Sequence, residues 1–176
     1  DIKSKEQHYV FGIHQPLFRT PSHDLSVGFV FEYEQNTTYL LGDRFSFSPG
    51  VNNGRSKVTA LRPQIEYTYR GFEDAISARG TLSKGVDLFG ATNNESGPDG
   101  QFTSFLGQLY WAHRFDDRGD AVILRSEAQL SDSKLLPIEK YEIGGATSVR
   151  GYRENFLISD EGMDASLEGR IVAVRF

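Results

Sequence analysis

Apolar and polar side chains alternate with period two through stretch after stretch of this chain. Only a strand sends successive side chains to opposite faces, so the pattern restricts the fold to β-architecture. The first run sets Tyr9, Phe11, Ile13 and Leu17 against His8, Gly12, His14 and Pro16. The second is almost unbroken, with Leu25, Val27, Phe29, Phe31 and Tyr33 opposite Asp24, Ser26, Gly28, Glu32 and Glu34. A third runs from about Val58 to Arg70, its face of Arg62, Gln64, Glu66, Thr68 and Arg70 charged along its length. Further runs follow at 76–86, 102–115, 121–130 and from about Ala165, making seven predicted strands. Lys84 falls on an apolar face near a strand end, where its long stem can snorkel to water. Between Asn36 and about Lys57 the pattern dissolves into a predicted loop, with Phe45 and Phe47 as local anchors.

Strands of this kind suit a soluble sandwich with its apolar faces turned together, or a transmembrane barrel with the apolar face toward lipid and the charged face toward a wet lumen. Connection lengths distinguish them. They run short, long, short, long, short and very long, as in barrels with tight turns at one rim and extended loops at the other. Tyr67, Tyr69, Trp111, Phe115, Tyr33 and Phe18 lie toward strand ends, where interfacial girdles sit. The expected fold is therefore all-β, an antiparallel transmembrane β-barrel present in part. The chain has 176 residues, 13 of them Phe and 8 Tyr, with one Met and no Cys. The missing cysteines exclude disulfides, thiolate metal sites and thiol nucleophiles. A net charge of −5 provides no electrostatic case for nucleic acid.

The longest break in the pattern, about 131–164, contains Gly144-Gly145-Ala146-Thr147-Ser148-Val149-Arg150-Gly151-Tyr152. Three glycines free this backbone, and they carry an Arg and a Tyr that nothing local can pair. Taken alone, such a stretch reads equally as an ordinary Gly-rich surface loop. The run Tyr141-Glu142-Ile143 inside it is too brief to span a bilayer, which needs about nine to eleven residues. Counting it as a spanning strand would move the glycine-arginine loop to the opposite rim.

Placed before the last strand, Gly144-Gly145 with Val149-Arg150-Gly151-Tyr152, then Arg153-Glu154-Asn155 and Ala165-Ser166-Leu167-Glu168, resembles the two-partner secretion translocators of the outer membrane, the hemolysin secretion/activation family (ShlB/FhaC/HecB type) within the BamA-like superfamily. His14-Gln15-Pro16-Leu17, Pro98-Asp99-Gly100-Gln101-Phe102 and Leu106-Gly107-Gln108-Leu109 add to the likeness. The resemblance implies a sixteen-stranded barrel preceded by POTRA domains, with the motif on a loop folded back into the lumen as a lid. It implies a bacterial outer-membrane location, protein transport without enzymatic activity or cofactor, and a secreted exoprotein as partner. The seven strands would match the sixth to the twelfth of that barrel, making residues 1–176 a barrel-domain piece without POTRA domains. The remainder of the barrel, or self-association, would then close its two edges within the lipid. In the family the motif Arg, here Arg150, is held by an acidic residue of a later strand. A BamA-like insertase of outer-membrane proteins and a soluble β-sandwich binding module are the alternatives.

The expected lid residues are Gly144, Gly145, Val149, Arg150, Gly151 and Tyr152. The expected lumen lining is Arg62, Glu66, Arg70, Arg79, Arg125, Glu127, Glu168 and Arg170, side chains that any polar lumen requires. His8, His14, His23 and His113 lack metal-ligand spacing, so no metal site is expected. Asp116, Asp117 and Asp120 cluster in a Gly-containing turn, which turn chemistry explains. No nucleophile motif or phosphate loop carries a local signature.

Overall fold

The computed structural model describes residues 1–116, 119–145 and 152–172. Seven strands form one continuous antiparallel path: β1 (Ile2–Arg19), β2 (His23–Leu40), β4 (Arg55–Arg70), β5 (Asp74–Gly85), β6 (Thr103–Arg114), β7 (Ala121–Ser131) and β10 (Gly162–Arg170). The two-residue β3 (Asp43–Arg44) pairs with β2, and β8 (Tyr141–Ile143) pairs with β9 (Leu157–Ser159) in a separate small hairpin. Tyr141–Ile143 is thus a strand of the loop and not of the wall. The short connections 20–22, 71–73 and 115–120 share one rim, and the long ones 41–54, 86–102 and 132–161 share the other.

Cross-strand register sorts the two faces. Val30, Arg62 and Ser83 lie on one side with Glu66, Arg79, Gln108, Glu127 and Asp164. The opposite face carries Phe11, Phe29, Ile65, Phe105, Leu109, Leu130 and Leu167, all at least two-fifths exposed or close to it. A sandwich would have buried those rows against a second sheet. Among the described residues nothing packs over them as a layer.

Rings mark both borders of the apolar face. At the short-turn rim His23 lies 5.0 Å from Tyr69, and His113 lies 6.0 Å from Trp111 and 5.0 Å from Phe115. At the other border Tyr33 lies 6.1 Å from Tyr9 and 6.3 Å from Phe89. From His23 to Tyr33 the strand advances about 34 Å at ~3.4 Å per residue. A tilt of about 40° reduces this to roughly 25 Å, the height of a transmembrane barrel's apolar band.

Strands continue past that border. Lys5 pairs with Thr37, Ile2 with Leu40, and Thr37 with Arg55, so β2 and β4 occupy both ends of what the alternation marks as a loop. Beyond Tyr33 neither face is apolar, with Gln35, Thr37 and Tyr39 on the outer side. Alternation then stops reporting the strand, while the backbone ladder, which needs no particular side chain, goes on.

Among the described residues, the buried apolar cluster lies on the polar side, at the long-loop end. Val58 and Ala60 of β4 meet Phe102, Leu135 and Leu136, with Ile138 partly buried beside them. The polar face of β4 is therefore charged only from Arg62 downward. Above it the wall presents small apolar side chains, and the longest loop folds inward onto them.

Candidate functional site

Directly after Leu136 the loop makes a single 3₁₀ turn, Pro137–Glu139, which swings Glu139 down onto the polar face. Arg62 Nη2 reaches both oxygens of that carboxylate, at 2.7 and 2.9 Å. The same guanidinium donates through Nη1 to Ser83 Oγ at 2.5 Å and through Nε to Glu32. Arg62 thus joins two wall strands to the loop, a task for which the planar fork of donors suits arginine and not lysine. Burial pushes the Glu139 carboxyl above its ordinary value, and the charge of Arg62 works against that rise.

Among the described residues, the rest of the loop is held by hydrogen bonds and one ion pair. Gln129 Nε2 donates to the backbone oxygens of Glu139 and Asp160, each at 3.1 Å. Asp160 accepts from the Leu135 amide at 3.0 Å and pairs with Lys140 at 3.1 Å. Tyr141 donates its hydroxyl to Asp164 Oδ2 at 2.5 Å. Burial first, then that carboxylate, raises the Tyr141 pKa, so the hydroxyl stays a donor at neutral pH. The ring covers Gly162, where a Cβ would come within 2.2 Å of Tyr141 Cδ1. Glycine is needed there for space.

Past β8 the chain turns at Gly144 and Gly145, whose φ angles of 136° and 83° suit glycine alone. A Cβ on Gly144 would meet the Arg153 carbonyl oxygen at 2.3 Å. The Gly145 amide donates to the Tyr152 carbonyl at 3.2 Å, closing the base of the motif segment, and Tyr152 packs 4.8 Å from Phe156. Of the expected lid residues, Gly144, Gly145 and Tyr152 come together here. Val149, Arg150 and Gly151 lie outside the described residues.

All eight expected lining residues share the polar face. Arg79 donates to Glu66 at 2.7 Å. Arg125 Nη1 and Arg170 Nε both reach Glu168, at 3.4 and 2.8 Å. Gln108 donates to Glu127 at 2.5 Å, and Arg70 stands exposed at the short-turn rim. A cavity of about 610 Å³ lies between this face and the loop, lined by Arg79, Gln108, Arg125, Glu127 and Asp164 from the wall and by Glu142, Gly144, Gly145 and Glu154 from the loop. A smaller one of about 270 Å³ opens beside Arg62, Gln129 and Glu139. The Asp116 carboxylate accepts from the Gly119 and Asp120 amides, as turn chemistry expects, while Asp117 lies outside the described residues.

The sequence reading does not single out Glu139, Gln129, Tyr141, Asp160 or Asp164. Two signals point toward them. Val58 and Ala60 are apolar on the face where Arg62 is charged, and Leu135-Leu136-Pro137 is an apolar run inside a polar loop. Together they predict a loop with an inward anchor.

The family model described as haemolysin secretion/activation protein ShlB/FhaC/HecB matches residues 1–167. Among solved structures, CdiB from Escherichia coli is similar in fold with a TM-score of 0.82, at 18% sequence identity, over 99% of this chain and 32% of that one. The chain thus spans about a third of the length of that structure. No curated protein matches it.

Proposed function

This chain belongs to the haemolysin secretion/activation family of ShlB, FhaC and HecB, outer-membrane β-barrel transporters of two-partner secretion, and on that premise we propose that it supplies part of the barrel wall and the inward lid of a translocator for a secreted exoprotein. In this reading residues 1–176 form one barrel-domain segment in the bacterial outer membrane, with the apolar rows against lipid and the polar face lining the lumen. Among the described residues, β1 and β10 each have a neighbour on one side only. Because an unpaired edge in hydrocarbon leaves backbone groups unsatisfied, further strands of the same barrel complete them.

The observation that carries this reading is that the described parts of the loop, 132–145 and 152–161, lie against the charged face, anchored by Arg62 on Glu139 and by Tyr141 on Asp164. A lid held by a few polar contacts closes a lumen and can be displaced. The lining suits a passing chain. Arg79 and Glu66, and Arg125 and Glu168, are substantially solvated pairs, and such pairs contribute about 0–1 kcal/mol. An extended polypeptide can replace each with its own hydrogen bonds at little cost and release it as readily. Arg150, in the segment between Gly145 and Tyr152, would lock the lid by pairing with a carboxylate of the completed wall.

In a secretion-competent parent protein, Arg150→Ala is expected to abolish exoprotein release while leaving insertion into the outer membrane largely intact. Unchanged secretion would refute the role of the lid, and loss of insertion would move Arg150 from gating to assembly.

A further inference from the structure

His8 and Glu34 stand opposite each other across the β1–β2 ladder, and Glu32 lies two residues along the same face. Each offers one ligand atom, an imidazole nitrogen from His8 and a carboxylate oxygen from each glutamate, and the three atoms lie within 4.8 Å of one another. His8 Nε2 is 2.5 Å from Glu32 Oε1, while Glu32 Oε2 is taken by Arg62. The carboxylate is therefore oriented by an outer partner, the arrangement that steadies metal-ligating carboxylates. Charge points the same way. Glu6, Glu32 and Glu139 all bear on Glu34, and Arg62, shared by Glu32 and Glu139, is the permanent cation among them. A dication would relieve repulsion that one guanidinium leaves in place.

We propose that His8, Glu32 and Glu34 bind a divalent cation of the zinc class at the long-loop end of the polar face. One imidazole and two carboxylates form a nitrogen–oxygen set suited to zinc and its neighbours, whereas calcium and magnesium favour oxygen alone. Zinc distances of about 2.0–2.2 Å in tetrahedral geometry place ligand atoms roughly 3.3 Å apart. His8 and Glu32 therefore separate by less than about 1 Å, and their direct hydrogen bond is replaced by a shared cation. Water completes the fourth position. Once Glu32 shares its charge with the metal, Arg62 is left more fully to Glu139, so cation binding tightens the loop, and a docked loop tightens the cation by the same factor.

The test is calorimetric titration of the full, tag-free chain in detergent micelles with zinc sulfate, using magnesium and calcium chloride as comparators. One zinc per chain is expected, with no competition from the comparators. His8→Ala and Glu34→Gln are each expected to weaken binding more than about tenfold, and His14→Ala, on the same face of β1, is expected to leave it unchanged. Circular dichroism checks that the variants fold. The visible spectrum of the Co²⁺-loaded wild type requires no substitution, and strong tetrahedral bands are expected. Absence of zinc binding, zinc binding that survives both His8→Ala and Glu34→Gln, equal binding of calcium, or a pale octahedral Co²⁺ spectrum would each overturn the site. Zinc is further expected to slow amide exchange at Leu135 and Tyr141, and unchanged exchange would overturn the coupling.

Discussion

Glu139→Gln removes a charge from the buried contact between loop and wall while keeping an acceptor at nearly the same place. Arg62 Nη2 bonds both carboxylate oxygens, and the side chains of Arg62 and Glu139 are only 17% and 7% exposed. Hydrogen bonds to charged groups contribute about 1.5–3 kcal/mol against about 1 for neutral ones. The amide retains one of the two, so docking should weaken by roughly 1–2 kcal/mol, a five- to thirtyfold rise in the open population. Arg62→Met is harsher because it strands Glu139 and Glu32 without their cation, and breaking a buried pair from one side costs about 3–5 kcal/mol. Combining Arg62→Met with Glu139→Met removes both charges from this contact. It should restore much of the loss, leaving an interaction of at least ~1 kcal/mol between the two sites. Amide exchange at Leu135, Tyr141 and Leu157 in detergent micelles reads loop opening directly. Unchanged exchange at those amides in Glu139→Gln, or additivity of the two substitutions to within about 0.5 kcal/mol, as at independent sites, would rule out this anchor.

The other predictions concern the same loop and the wall. Gly162→Ala should drive Tyr141 off β10, because the new Cβ would lie 2.2 Å from the ring; it should show as enhanced proteolysis within 132–161, and an unaltered digest would oppose it. Tyr141→Phe keeps the ring but loses the hydroxyl given to Asp164, and opening of the hairpin formed by β8 and β9 should become easier by about 1.5–3 kcal/mol. Ile65→Arg and Gln64→Arg are neighbours on opposite faces of β4; the first should cost about 2–4 kcal/mol of stability in bilayers by denaturant titration and the second little, and equal costs would invert the assignment of the faces.

Much of the wall was legible because each spanning strand keeps one face apolar and the other wet. The rows Leu25 to Tyr33 and Leu61 to Tyr69 declare their faces without reference to any partner. The count of seven wall strands and the shared rim of the long loops follow from that alternation and from the spacing of the breaks. Legibility fails at the upper ends of β2 and β4, where Gln35 to Thr38 and Arg55 to Lys57 continue the ladder with both sides polar. It fails also at Val58 and Ala60, whose small apolar side chains make sense only once Leu135 and Leu136 rest on them.

The family motif was readable because Gly144 and Gly145 mark a backbone that other residues cannot follow. Its anchor was not. Arg62 and Glu139 are 77 residues apart, and His8 and Glu32 are separated by 24. No local pattern joins such pairs, since their meeting is set by the register of neighbouring strands and by the depth to which the loop folds. Sequence alone therefore determined the β-fold, the two chemically opposed faces and the rim that carries the longest loop. Which charged side chain grips which was decided only in three dimensions, because electrostatic contacts act over a few ångströms of space and are indifferent to distance along the chain.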